Sequence, residues 1–217
     1  KVKETLSYIT ECADRVMRGG EITREEALRL IRTENRGTLF LLAMADQVRQ
    51  KFCGDRVDFC ADVNAKSGRC TENCRFCAQS GWYHTGVDEY PLREEDDLLE
   101  QAKKAEEYGA VRFGIVTSGR DQRDAEQFRK IAETVRRIHE ETHLNICCSL
   151  GLLTSEQLHT LKEAGATRIH CNLETSQKHF PDICTTHTYE EKADHIRRIQ
   201  EAGLDVGFGH ALDRHAE

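Results

Sequence analysis

Three times in this chain a helical pattern closes on a glycine and a strand pattern begins, and that recurrence limits the fold more than any other feature. The junctions are Glu107-Tyr-Gly-Ala110, Glu163-Ala-Gly-Ala166 and Glu201-Ala-Gly-Leu204. Glycine suits the left-handed position that ends a helix, because it has no Cβ to clash there. Thr154 with Gln157 and Thr188 with Glu191 have the spacing of capping boxes that open the helices between these junctions. Alternating β and α units imply a parallel sheet, open or closed into a barrel. The pattern predicts strands near residues 57–65, 111–117, 144–150, 167–173 and 204–208. In the first, Val57, Phe59, Ala61, Val63 and Ala65 alternate with Asp58, Cys60, Asp62, Asn64 and Lys66. Side chains alternate across a strand, so the apolar set faces the helices and Cys60, Asp62, Asn64 and Lys66 face the lumen.

The fold class expected is therefore α/β with about five strands visible, in a parallel sheet that is either open or part of a TIM-type (β/α) barrel, which has eight. An N-terminal helical segment over residues 1–52 precedes it. There Thr23 and Glu26 form a third capping-box pair, and Leu39 to Val48 is an apolar stripe. The strand-bearing domain is expected over 53–217 and, if it is a barrel, to be incomplete at its C-terminus. The chain opens on Lys1 rather than Met, which fits a trimmed start. An open sheet edge invites pairing with another chain, so a homodimer is a further expectation.

The chemistry concentrates just after the first strand, in Cys70-Thr-Glu-Asn-Cys74-Arg-Phe-Cys77-Ala-Gln-Ser80. A cubane iron–sulfur cluster normally takes four thiolates. Three ligands spaced C-x3-C-x2-C leave one iron open, which points to chemistry at the metal. The bland alternatives are a zinc knuckle or ordinary thiols. A structural zinc site wants a closed set of four ligands, and only Cys74 and Cys77 have the paired spacing. In a (β/α) barrel this loop leaves the C-terminal end of a strand, where active sites lie.

This run resembles the radical S-adenosylmethionine (radical SAM) superfamily, and more narrowly the biotin synthase family, in its branch with atypical auxiliary cysteines. Ile169-His-Cys-Asn-Leu-Glu-Thr-Ser176 and Cys184-Thr-Thr-His-Thr-Tyr189 carry the narrower likeness, with Phe76 to Ser80. The resemblance implies a [4Fe-4S] cluster on Cys70, Cys74 and Cys77, with S-adenosyl-L-methionine on the fourth iron. It places Phe76 beside the adenine, against a reading as ordinary loop packing. It assigns the ribose to Asn172 and Glu174, expected on one face of the fourth strand, against a reading as buried polar residues. His187 falls where an arginine approaches the methionyl carboxylate, against a reading as a surface histidine near a helix start. The implied reaction inserts sulfur into dethiobiotin to give biotin through a 5′-deoxyadenosyl radical. The implied electron donor is a flavodoxin or ferredoxin.

The other cysteines bear on an auxiliary iron–sulfur cluster. Cys147 matches an auxiliary ligand of the family, but Gly114 and Gly207 stand where two others are expected. Cys60 and Cys147 are the candidate substitutes. Cys171 needs a bulge to reach the lumen from its strand. Cys184 is either a ligand or a bystander, Cys148 should face the helices, and Cys12 and Cys53 read as structural. Tyr83, His84 and Tyr90 are candidates for a substrate mouth, although Tyr90-Pro91 also reads as the stop before a helix. The final run Gly207 to Glu217 departs from the family pattern. Two other readings stay open: a related radical SAM enzyme that rearranges a metabolite without sulfur insertion, and a non-catalytic iron–sulfur fragment.

Composition narrows the setting. A net charge of −7 argues against a nucleic-acid partner. No apolar run is long enough to span a bilayer, and none resembles a signal peptide. Ten cysteines without a secretory signal fit a reduced cytoplasmic protein whose thiolates bind metal.

Overall fold

The computed structural model describes residues 2–207, as two compact units that divide at Val57 and Asp58. The first unit holds α1 (Val2–Met17), α2 (Arg24–Ile31) and α3 (Arg36–Cys53). Ile9, Ala13 and Met44 are buried between helices, with Phe40, Leu41 and Val48 packed around them. Leu39 and Leu42 of the expected apolar stripe are exposed instead, because a single face of α3 meets α1. The Thr23 capping box forms as expected: its hydroxyl accepts from the Glu26 N–H, and the Glu26 carboxylate accepts from the Thr23 N–H. Cys12 is buried, but Cys53 ends α3 in solvent and has no structural role there.

The second unit runs β1 (Phe59–Lys66), α4 (Glu95–Glu107), β2 (Ala110–Thr117), α5 (Ala125–Glu141), β3 (Asn145–Ser149), α6 (Ser155–Glu163), β4 (Ala166–His170), α7 (Phe180–Ile183), α8 (Tyr189–Glu201) and β5 (Asp205–Gly207). All neighbouring pairs are parallel, and the strands lie in sequence order β1-β2-β3-β4-β5. The expected five-strand βα array is thus present. The three helix-ending glycines Gly109, Gly165 and Gly203 all have positive φ, at 86°, 106° and 69°. Both predicted capping boxes, at Thr154 and Thr188, are formed.

One apolar layer joins sheet to helices. Ile131, Val135 and Ile138 lie three and four residues apart on α5 and are fully buried. They share the core with Val63, Ala65, Phe113, Ile115, Ile146 and Ile169. Cys148 sits in this layer, fully buried, on the helix side as its parity requires. Phe59 is exposed, so the apolar face of β1 joins the core from Ala61 onward. β4 ends at His170, earlier than expected; Glu174 then takes φ +69°, a left-handed turn that no strand contains. Phe208 and most of the final run lie outside the described residues.

His195 on α8 is fully buried, and its Nε2 accepts a hydrogen bond of 3.1 Å from the Leu153 N–H. Burial, helped by Arg198 and Lys192, holds this imidazole down to about 4. The unfolded chain then takes up a proton below its ordinary value near 6.5 while the folded chain does not. Stability therefore falls as pH drops from about 6.5 toward 4. Between pH 7 and pH 5 the loss from this residue is roughly 2 kcal/mol. Urea unfolding at the two pH values should show that loss in the wild type and a smaller one in His195→Gln.

Candidate functional site

The cysteine loop begins where β1 stops. Gly68 and Arg69 both take positive φ, 77° and 52°, and this pair turns the chain away from the sheet. A Cβ on Gly68 would lie 2.6 Å from Glu89 Cγ, so the turn also leaves no room there. Gln79 closes the loop back on its start, its Oε1 accepting from the Ser67 hydroxyl and the Gly68 N–H. The Cys70 N–H donates to Gln79 O at 2.9 Å, and the Gly81 N–H donates to Cys70 O at 2.8 Å. Ser80 is buried and donates to Glu72 O at 2.6 Å. Tyr90 bonds Asn64 O and Tyr83 bonds Asn73 O. Both tyrosines, candidates for a substrate mouth, thus brace the loop with their hydroxyls.

A second loop, 183–187, covers the first. Asn73 bridges them: its Nδ2 donates to Thr185 Oγ1 at 2.7 Å, and its Oδ1 accepts from the Thr185 N–H at 2.9 Å. Its own N–H donates to Thr186 Oγ1 at 3.1 Å. The Arg75 N–H donates to Ile183 O at 3.0 Å. His187 is buried, which corrects the surface reading, and lies 2.6 Å from Glu72 Oε2. Burial lowers the affinity of His187 for a second proton. Burial pushes the Glu72 carboxyl up, but the bonds from His187, Thr186 and Thr71 outweigh it and hold the group ionised. The pair is thus a neutral imidazole donating to a carboxylate, and His187 Nδ1 is not free to meet another anion.

Beneath these loops lies a cavity of about 290 Å³ over the C-terminal ends of the strands. Cys70, Cys74, Cys77 and Phe76 line one side, Asn172 and Glu174 another, with His187 and Cys171 between. Asn172 and Glu174 reach it from the loop after β4, not from a shared strand face. Cys171 reaches it because the strand has already ended, with no bulge at that point. Phe76 is half exposed at the rim.

Three charged residues at this cavity left no trace in the sequence pattern: Glu72, Arg120 and Lys192. Lys192 Nζ donates to Asn172 O at 2.8 Å and stands 3.9 Å from Glu174 Oε1. Arg120 donates to Thr186 O and to Glu191 Oε1, both at 2.6 Å, and lies 3.5 Å from Glu72. Gly151 makes that arginine's position possible, since a Cβ there would come within 2.2 Å of Arg120 O.

Burial raises the Cys70 thiol, offset by backbone N–H groups of Glu72 and Gly119. Burial, then the neighbouring Cys184, pushes Cys74 far above the usual thiol range, while Lys192 pulls it down. A metal must displace those protons to bind. Three thiols converging on one cavity, with room left beside them, match the donor set of a cubane with one open iron.

The remaining candidates sit apart. Cys60 is exposed and Cys147 buried, on the strands that flank β2: Cys60 pairs with Arg112 and Cys147 with Gly114, two residues further along. Burial raises the Cys147 thiol, and Arg168 and Arg112 lower it. Neither cysteine lines the cavity under the loops. At Gly114 a Cβ would meet Asp62 Oδ1 at 1.8 Å, so the Asp62 carboxylate fills the space a side chain would take.

The loop clamp gives a direct test. Asn73→Ala removes its side-chain bonds to Thr185 and Thr186 and should lower unfolding stability by about 1–2 kcal/mol. Urea denaturation of the cluster-free chain measures it.

Comparison with known proteins adds to this geometry. The model of the Radical SAM superfamily matches residues 65–214. Biotin synthase 2 of Corynebacterium diphtheriae is 44% identical over 209 residues, covering 96% of this chain and 62% of the relative. The biotin synthase of Pelobacter propionicus is 44% identical over 203 residues, covering 94% and 62%. That of Clostridioides difficile is 43% identical over 205 residues, covering 93% and 63%. The chain therefore spans about six-tenths of the length of these curated relatives. Among solved structures, methylornithine synthase (PylB) superposes with a TM-score of 0.76 at 22% identity, covering 90% of this chain and 57% of that one. HydG, a maturase of the [FeFe]-hydrogenase, gives 0.80 at 19%, covering 99% and 51%. At such identities the structural likeness shows the fold alone.

Proposed function

Because the chain belongs to the radical SAM superfamily, we propose that it is the cluster-bearing part of a sulfurtransferase of the biotin synthase type, converting dethiobiotin to biotin. The observation that carries this reading is the convergence of Cys70, Cys74 and Cys77 on one cavity with Asn172 and Glu174 opposite. The 43–44% identity to biotin synthases over most of the chain supports the substrate.

Cys70, Cys74 and Cys77 would hold the [4Fe-4S] cluster, each on one iron. With S-adenosyl-L-methionine, that group supplies a one-electron cleavage that yields the 5′-deoxyadenosyl radical. Glu174 offers a carboxylate that accepts two hydroxyl donors, as a ribose diol provides, and Asn172 lies beside it. Lys192 and Arg120 are the cations facing the cavity, and they take the methionyl carboxylate in place of His187, which Glu72 occupies. Phe76 at the rim covers an adenine. The loop clamp partly covers the cysteines, and the cofactors carry the hard chemistry.

Cys60 and Cys147 are proposed as ligands of an auxiliary cluster, with Arg112 and Arg168 balancing its negative charge. Cys171 has Lys192 and Glu174 as its charged neighbours, and so belongs with the first cavity. A second reading, radical rearrangement without sulfur insertion, is favoured by Asp62 filling the space at Gly114. The setting proposed is cytoplasmic, with a flavodoxin or ferredoxin as electron donor and no nucleic-acid partner; a homodimer completes the proposal. No helix among the described residues is long and apolar enough to cross a membrane.

Anaerobic reconstitution tests the reading. About four irons per chain, lost in Cys74→Ala, are expected from the loop cluster. Iron that survives in Cys74→Ala marks the auxiliary site, and its loss in Cys147→Ala assigns it. With reductant, S-adenosylmethionine and dethiobiotin, biotin is expected alongside 5′-deoxyadenosine. 5′-Deoxyadenosine without biotin would favour the rearrangement reading. Iron content unchanged by Cys74→Ala would sink both.

A further inference from the structure

Cys184 has no task in the reaction proposed above, yet it is 4% exposed and its Sγ lies 3.6 Å from the Sγ of Cys74. His187 is 8% exposed, with Nδ1 3.3 Å and Nε2 3.8 Å from the same Cys184 sulfur. One donor atom from each of Cys74, Cys184 and His187 falls within 4.8 Å of the others. We propose that these three residues form a tetrahedral site for a single zinc-class divalent ion, and that this ion and the iron–sulfur cluster exclude one another.

The distances carry the first half. Zinc bonds thiolate at about 2.3 Å and imidazole at about 2.0–2.1 Å. At a tetrahedral angle, two sulfurs on one such ion lie about 3.8 Å apart, and a sulfur and a nitrogen about 3.5 Å. The observed 3.6 Å between the two sulfurs and 3.8 Å from Cys184 Sγ to His187 Nε2 lie close to these values, and all three donors fall within 4.8 Å. They do not match two terminal thiolates of a cubane, each of which takes its own iron.

The surroundings are those of a built metal site. A ligating histidine commonly donates its other ring N–H to a carboxylate, which fixes the tautomer. Glu72 does this, 6% exposed and 2.6 Å from His187 Nδ1, which leaves Nε2 to bind. Thr186 donates to the same Glu72 oxygen at 2.8 Å. Phe180 packs its ring across His187, with centroids 5.6 Å apart at 68°. The Asn73 bonds to Thr185 and Thr186 already hold the two ligand loops together. Cys74 and His187 both line the cavity, so the fourth position opens on it for water or a small ligand. Two thiolates and a neutral imidazole balance a doubly charged ion.

The second half follows from Cys74. It belongs to both donor sets, so one occupant denies the other its thiolate. The metal site stands without the radical SAM reading; the exclusion rests on it.

The probe is Co²⁺ added to the reduced, iron-free full chain under argon. One equivalent should give the visible absorption of a tetrahedral thiolate-bound ion, and Zn²⁺ should displace it. Cys184→Ser and His187→Asn, each checked for native circular dichroism, should abolish that spectrum. Cys70→Ala and Cys77→Ala should retain it. Glu72→Gln should weaken Co²⁺ about 10- to 100-fold. Zinc-loaded wild type should take up little iron, whereas Cys184→Ser should take up its full complement with or without zinc. A spectrum that survives both Cys184→Ser and His187→Asn, or that disappears in Cys70→Ala, overturns the proposal by placing the ion in the three-cysteine loop. Failure of iron uptake in the absence of zinc would count against the proposed function and leave the Co²⁺ result standing.

Discussion

The site depends on the hydrogen-bonded clamp between the loop after β1 and the loop before α8. Asn73 and Glu72 on one side meet Thr185, Thr186 and His187 on the other. Without it the cysteines would hang from a strand end with no cover. With it, a cavity forms over the strand ends, and residues from four separate connections face one another. The sheet supplies the platform, since parallel strands in sequence order present all their C-terminal ends on the same side. The clamp supplies the roof.

Burial has a chemical consequence here. The thiols of Cys70 and Cys74 are held neutral by desolvation. Their deprotonation must be driven by the bond to a metal, which couples metal uptake to proton release. Glu72 is the exception among the buried acids and bases, ionised because its donors outweigh its burial. That fixed negative charge decides the role of His187: a histidine bonded to a carboxylate at 2.6 Å is a poor partner for a second carboxylate.

What could be read from the sequence was what is local in the chain. Glycine-terminated helices, the Thr23, Thr154 and Thr188 capping boxes and the three-cysteine loop are set by residues within a few positions of one another. The side on which Cys148 packs followed from the two-residue period of its strand. Asn172 and Glu174 reached the right cavity for an incomplete reason, because the left-handed turn at Glu174, which ends the strand's influence, has no marker in that residue type. The Glu72–His187 bond spans 115 residues of sequence and the Arg120–Glu191 bond 71, and no pattern of spacing announces such pairs. The exposure of Cys53 and Leu39 was missed because an apolar stripe does not say how wide a face its partner offers.

The order of the strands bears on how the protein comes into being. Each βα unit packs on the one made just before it, so the sheet can grow in step with synthesis, with contacts of short sequence separation. The roof cannot. The thiols of the first loop emerge early, but their cover is made more than a hundred residues later. During that interval the cysteines lack their cover, so metal can reach them before the site closes.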